Sequence, residues 1–317
     1  MPHTPAVSVI MPTHNCLPWL PQAIASVGQL PDVEIIVFDD GSSDGTQAWL
    51  TDAARSDPRI VVLNGTGFGP AKARNLAIAA ARAPLLAFLD ADDRWYPGKL
   101  ELQLALHRAW PEAGFSFTDY RHVTPDGTDL GGCFAYWPRF HARIKGRTEP
   151  FALGGDALAQ IFAEHVVGTS AVVARTDLVR AEGGFSEDLP SSEDWDLWLR
   201  LAQRSQVMCV PRVLTDYLMH RPGNVTGKTR ARLLAVRMIS ARHEAAVRAI
   251  SRGAVRVFAA RMLEARAEIA ESGGKRGRAI AFRMVAVARD PSRRAARGLL
   301  RALAGTLWRG KAVGEAG

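Results

Sequence analysis

Three carboxylates, Asp90, Asp92 and Asp93, crowd into four positions directly after the apolar run PLLAFL (84–89). If the backbone stays extended beyond Leu89, Asp90 and Asp92 fall on one face, because side chains along a strand alternate with a period of two. Carboxylates that close repel one another unless a cation or hydrogen-bond donors compensate them. A hard divalent ion, Mg²⁺ or Mn²⁺, held by one or two carboxylates and completed by phosphate oxygens and water, suits that chemistry. The competing reading is a helix start, with Asp92 and Asp93 favouring the N-terminus of a helix near Pro97.

A second acidic cluster, Glu193, Asp194 and Asp196, sits in SSEDWDLWLR (191–200), flanked by Trp195 and Trp198. Apolar neighbours of this kind raise a carboxylate pKa toward the range of a general base. Ser191 and Asp194 also match a capping box, so a purely structural role stays open. The stretch DDGSSDGT (39–46) places Asp40, Ser42, Asp44 and Gly45 as an EF-hand loop would, but Thr51 stands where a bidentate Glu is needed. Turn and helix-cap chemistry is the alternative there. Two phosphate-loop look-alikes, GNVTGKT (223–229) and GTGFGP (65–70), fail on spacing and on their last glycine.

The elements that must position these groups are legible as apolar runs: VSVIM (7–11), VEIIVF (33–38), RIVVL (59–63), PLLAFL (84–89) and GFSF (114–117). Amphipathic stretches near 18–28, 44–55, 70–82 and 97–109 separate them. Continuous apolar strands alternating with helices predict an α/β fold with a mostly parallel central sheet covered on both faces. Ligands bind beyond the carboxyl ends of such strands. There the chain carries PTHN (12–15), DDGSSDG (39–45) and DADD (90–93). Residues 121–155 lose periodicity and read as long loops or a hairpin. A strand near 170–175, a helix near 193–204 and a last strand near 206–219 follow.

With 47% apolar and 23% charged residues, the 317-residue chain reads as a folded globular protein. Cys16, Cys133 and Cys209 lie far apart and are odd in number, which argues against a disulfide framework or structural zinc and suits a reducing cytoplasm. No signal-like leader and no run of 18 apolar residues is present in the sequence, so neither export by that route nor a membrane span is expected. Charge is divided unevenly: residues 221–317 hold 22 Lys/Arg against 6 Asp/Glu, a net +16, which leaves −8 on residues 1–220. After Pro222-Gly223 the composition turns to Ala, Arg and Leu with helical spacing. The expected division is therefore a domain of 1–221 and a basic helical extension of 222–317.

Taken in series, VSVIMPTHN (7–15), EIIVFDDGSSDGT (34–46), AKARNLAI (71–78), LAFLDADD (86–93), GGFSEDL (183–189) and EDWDLWLRLA (193–202) resemble the family 2 glycosyltransferases of GT-A fold, over roughly residues 6–220. The resemblance implies a metal-dependent, inverting transferase that moves a sugar from a nucleoside-diphosphate sugar, uridine-linked by expectation, to a hydroxyl of a glycan or lipid-linked acceptor. It implies a donor site of Pro12, Thr13, Asn15, Asp40, Arg74, Asp90 and Asp92. Asp92 would hold the Mn²⁺ or Mg²⁺, with His220 completing the metal site, and Asp194 would be the base. Glu193, Trp195 and Trp137 are expected on the acceptor side. Asp93 is expected to support the turn and the following helix.

Ser186 stands where the family commonly has Asp, a departure expected to touch the acceptor side. The QxxRW motif of the processive synthases is missing, which favours one sugar per encounter. In the tail, Leu300, Leu303 and Leu307 share a helical face with Arg297 and Arg301 one turn apart. That pattern suits either an anionic membrane surface, at the inner face of the cell membrane, or a helix packed on the domain with its arginines in water. The acidic body argues against nucleic acid as a partner. A sugar nucleotidyltransferase and a non-catalytic nucleotide-sugar binding module are the competing functions.

Overall fold

The computed structural model describes residues 4–219 and 229–314. They divide into two compact units, one running to residue 243 without 162–164, the other made of 162–164 and 244 onward. The boundary expected at 221/222 falls outside the described residues.

Strands β1 (Val7–Thr13), β2 (Val33–Asp39), β3 (Ile60–Asn64) and β4 (Leu85–Phe88) are joined through α1 (Leu20–Ser26), α2 (Thr46–Ser56) and α3 (Pro70–Ala80). They pair in parallel in the order β3-β2-β1-β4. Every residue of β2 is buried, as a strand covered on both faces requires. Next come β5 (Arg94–Trp95), α4 (Lys99–Ala109), β6 (Ala113–Val123), β7 (Asp129–Gly132), α5 (Cys133–Tyr136), α6 (Pro138–Ile144), β8 (Phe151–Ala152) and α7 (Ala157–Ala163). The unit continues with β9 (Val172–Arg175), α8 (Thr176–Ala181), α9 (Glu193–Arg204) and β10 (Gln206–Leu218). Strand β9 runs antiparallel between β4 and β6, and β10 runs parallel to β6. Hence β1, β2, β4, β6 and β10 all leave the sheet at one edge.

Val7, Val9, Met11, Val33, Ile35 and Val37 pack on one face of the sheet with Leu20, Ile24, Leu50 and Leu100. On the alternate positions, Phe88 lies edge-on to Phe185 and Trp198, with ring centroids 5.5 and 5.4 Å away, and Phe115 stands 5.9 Å from Trp198. Trp198 is fully buried, so these rings seat α9 against the strand that ends at the DADD turn. Residues 121–155 contain the β6–β7 hairpin, but also α5 and α6, where no regular element was expected. Phe134 and Phe140 pack on Phe117 at 5.8 and 6.1 Å, and that burial holds two helices too short to stand by propensity.

The second unit contains the last two turns of α10 (Thr229–Ile250), from residue 244, then α11 (Arg252–Ser272), α12 (Arg276–Arg289) and α13 (Arg293–Gly314). The Ser251 Oγ accepts the Ala254 N–H at 3.1 Å and caps α11.

Candidate active site

The exits of β1 and β2 are laced together by side chains. Asn15, at φ 52°, donates its N–H to Ser42 Oγ at 2.8 Å and accepts the Ser43 N–H on Oδ1 at 2.8 Å. Asp44 accepts the N–H of Leu17 at 3.0 Å and of Thr46 at 3.1 Å. Asp40 accepts three backbone N–H groups, from Gly67 at 2.9 Å, Phe68 at 2.8 Å and Gly69 at 2.7 Å. The EF-hand-like residues therefore serve as turn anchors, and Asp40 shapes the loop after β3. Gly65 is required there: a Cβ would stand 2.6 Å from the Phe38 ring and 2.9 Å from Asp40 Oδ1. Pro12 is half-buried, and Thr13 is buried with an Oγ1 that has no hydrogen-bond partner among the described residues. A buried hydroxyl in that state costs free energy until a ligand polar group meets it.

The chain turns after Leu89 instead of staying extended. The Asp93 N–H bonds the Asp90 carbonyl at 3.0 Å, and this turn, not strand alternation, gathers Asp90, Asp92 and Asp93 with ligand atoms within 4.8 Å of one another. None of them caps the next helix, whose N-cap is Gly98 without a side-chain bond. Asp93 instead reaches across the sheet edge. It accepts Ser170 Oγ–H at 2.5 Å and the Leu218 N–H at 2.9 Å, while Ser170 Oγ also accepts the Asp90 N–H at 3.0 Å. Burial, followed by the charges of Asp92 and Asp90, pushes the Asp93 carboxyl well above the ordinary range. An all-oxygen set under that mutual repulsion fits a hard divalent cation. His220 lies outside the described residues.

Arg74, on α3, compensates part of this charge. Its two terminal nitrogens donate to Asp90 Oδ1 at 2.6 Å and Glu193 Oε1 at 2.8 Å, with only 7% of the side chain exposed. Its Nε finds no partner among the described residues. Glu193 and Asp194 open α9 after Ser192, which occupies the left-handed region at φ 57° and makes no side-chain cap. The expected capping box does not form. Asp194 instead accepts Thr169 Oγ1–H at 2.8 Å and the Trp195 N–H at 2.7 Å. Burial raises the Asp194 pKa, against the lowering bond from Thr169 and the charge of Arg74.

Of the three residues expected on the acceptor side, Glu193 is buried on Arg74, Trp195 is 2% exposed with its indole N–H on the Ile161 carbonyl at 3.0 Å, and Trp137 is 8% exposed. Asp196, two residues beyond Asp194, is fully buried. It accepts Ser186 Oγ–H at 2.6 Å and Arg200 Nε–H at 3.0 Å, and lies 2.9 Å from His243 Nε2 on α10. Ser186 thus works inside the unit, fastening α9. Thr169, Ser170 and His243 had no signal in the sequence, being short polar or lone residues outside every motif.

The model of the glycosyl transferase family 2 matches residues 8–154. An uncharacterized glycosyltransferase of Rickettsia felis is 31% identical over 215 residues, covering 67% of this chain and 33% of its own length. TuaG of Bacillus subtilis, named for teichuronic acid biosynthesis, is 40% identical over 129 residues, 40% of this chain and 51% of TuaG. The chain thus spans a third to a half of these relatives. Staphylococcus aureus TarS, solved with UDP-GlcNAc, superposes at TM-score 0.61 with 18% identity, covering 94% of this chain and 79% of TarS. The mannosyltransferase PcManGT of Pyrobaculum calidifontis, solved with GDP-Man and Mn²⁺, superposes at TM-score 0.59 with 19% identity over 96% of this chain and 81% of its own. These two likenesses establish the GT-A fold. With the acidic turn and Arg74 gathered at one sheet edge, residues 8–154 of the chain belong to the glycosyl transferase family 2.

Proposed function

We propose that the protein transfers one sugar per encounter from a uridine diphosphate sugar to a hydroxyl of a glycan or lipid-linked acceptor during cell-surface polysaccharide or glycolipid synthesis, with inversion at the anomeric carbon. The observation that carries this reading is the Arg74 bridge, which ties Asp90 of the acidic turn to Glu193, the neighbour of the base Asp194.

Thr13, beside Pro12 and the loop held by Asn15 and Asp40, lines the place for the nucleoside. Its unpartnered hydroxyl supports that placement. Asp92, with Asp90 and Asp93 beside it, would hold a Mn²⁺ or Mg²⁺ ion, and the ion supplies Lewis-acid stabilisation of a departing diphosphate. Asp194 takes the proton of the acceptor hydroxyl as that oxygen bonds to the anomeric carbon. The bond from that carbon to the diphosphate oxygen breaks, and the diphosphate leaves with the electron pair. No covalent enzyme intermediate forms. The TarS complex supports a uridine donor and the PcManGT complex a manganese ion.

The basic C-terminal extension would hold the enzyme at an anionic membrane surface. Among the described residues no helix is long and apolar enough to cross a membrane. Screening nucleotide sugars for hydrolysis with Mn²⁺, with Mg²⁺ and with chelator tests the reading. Metal-dependent release of a nucleoside diphosphate from one donor is expected, and release of pyrophosphate from a nucleoside triphosphate would contradict it.

A further inference from the structure

In the C-terminal unit, α12 lies against both α11 and α13. Its inward positions are Ala279 and Ala286, both fully buried, with Phe282 packed on Ala267, Ala270 and Ala279. Arg283 also turns inward and pairs with Glu271 of α11, Nε to Oε1 at 3.1 Å and a terminal nitrogen to Oε2 at 2.7 Å. The opposite side of the helix consists of Ala281, Met284, Val285 and Ala288, all exposed, with Met284 at 57% and Val285 at 44%.

This departs from the usual arrangement. A helix on a globular unit buries its apolar stripe and turns charge outward. Here Arg283 is turned inward, and outside, an apolar strip of Ala281, Met284, Val285 and Ala288 lies between exposed Arg278 and Arg289. On α13 the packed position is Ala295, while Leu300 is 65% and Leu303 39% exposed beside exposed Arg297 and Arg301. Leu300 and Leu303 therefore meet water beside these arginines. Leu307 lies outside the described side chains.

An occupant of this face must accept apolar side chains and positive charge together. Residues 244–317 hold 16 Lys/Arg against 6 Asp/Glu, so a second copy would bring Arg278, Arg289, Arg297 and Arg301 against like charge. A nucleic acid would offer nothing to Met284 and Val285. An anionic lipid leaflet meets both demands, with acyl chains for the methyl-rich strip and headgroups for the guanidinium rim.

We propose that the outward face of α12, joined by Leu300 and Leu303 of α13, is a shallow insertion surface for an anionic bilayer. The proposal rests on the peripheral-membrane reading of the extension and is independent of the transfer chemistry.

Co-sedimentation of the full chain with phosphatidylcholine vesicles, with and without phosphatidylglycerol, tests it. Wild type should partition to the anionic vesicles, and the M284E/V285E variant should bind them at least about tenfold less, since charge at the acyl boundary opposes insertion. Both substituted residues are exposed, so circular dichroism and donor hydrolysis should match wild type. A single M284W substitution should shift its emission to the blue when anionic vesicles are added. Wild type that ignores both vesicles removes the membrane reading altogether. Equal binding by M284E/V285E, or no shift for M284W, removes the α12 face alone. A dimer that dissociates in M284E/V285E would make the face a subunit interface and overturn the proposal.

Discussion

Thr169 Oγ1 stands 2.8 Å from Asp194 Oδ2 and donates its proton to it. Asp194 is drawn in opposite directions: burial raises its pKa, and this bond with the Arg74 charge lowers it. A base that must be ionised loses activity as pH falls through its pKa. Removing a donor that favours the ionised form raises that pKa further, so in T169V the acid limb of kcat should move to higher pH with the alkaline limb unmoved. A pH–rate profile checks this, and an unmoved acid limb would separate Thr169 from the base.

Arg74 holds two largely buried carboxylates at once, Asp90 and Glu193. Removing one partner of a buried ion pair leaves a charge uncompensated, typically about 3–5 kcal/mol of destabilisation. R74M should lower the melting temperature of the protein without nucleotide, and R74K should recover part of the loss. Thermal unfolding of the two variants measures both.

Asp196 is held well below the ordinary carboxylate range, against the cost of burial, by hydrogen bonds from His243, Ser186 and Arg200 and by the Arg200 charge. A depressed folded pKa means that stability is present above the unfolded value of about 3.9 and is lost as pH falls through the folded one. D196N should therefore be less stable than wild type at neutral pH, by about 3 kcal/mol. The gap should narrow in acid. Denaturant titrations at both ends of that range decide it, and a constant gap would place the effect in packing.

In the proposed mechanism Asp92 would hold the metal. Calorimetry with a nucleoside diphosphate, with and without Mn²⁺, should show metal-enhanced binding in wild type and none in D92A. Equal enhancement in both would move the ion to other ligands.

Much of the sheet was legible because VSVIM, VEIIVF and LLAF are continuous apolar runs, as strands buried on both faces require. The residues of the acidic turn were legible too, but their geometry was not. Extended backbone was expected after Leu89, whereas the chain turns through the Asp93 N–H. The capping box at Ser191 failed for a similar reason, since Thr169 competes for Asp194 across 25 residues. Contacts such as Asp93 to Leu218, 125 residues apart, or Asp196 to His243 leave no local pattern, because each partner is chosen by the packing of strands and helices. The short helices after residue 132 depend likewise on Phe134 and Phe140 finding Phe117.

In the proposed mechanism Asp194 is the base, and transfer rate and nucleotide binding measured side by side in wild type and D194N test that role. Turnover in D194N should fall by about 10² to 10⁴ with nucleotide affinity retained. Unchanged turnover would contradict that role.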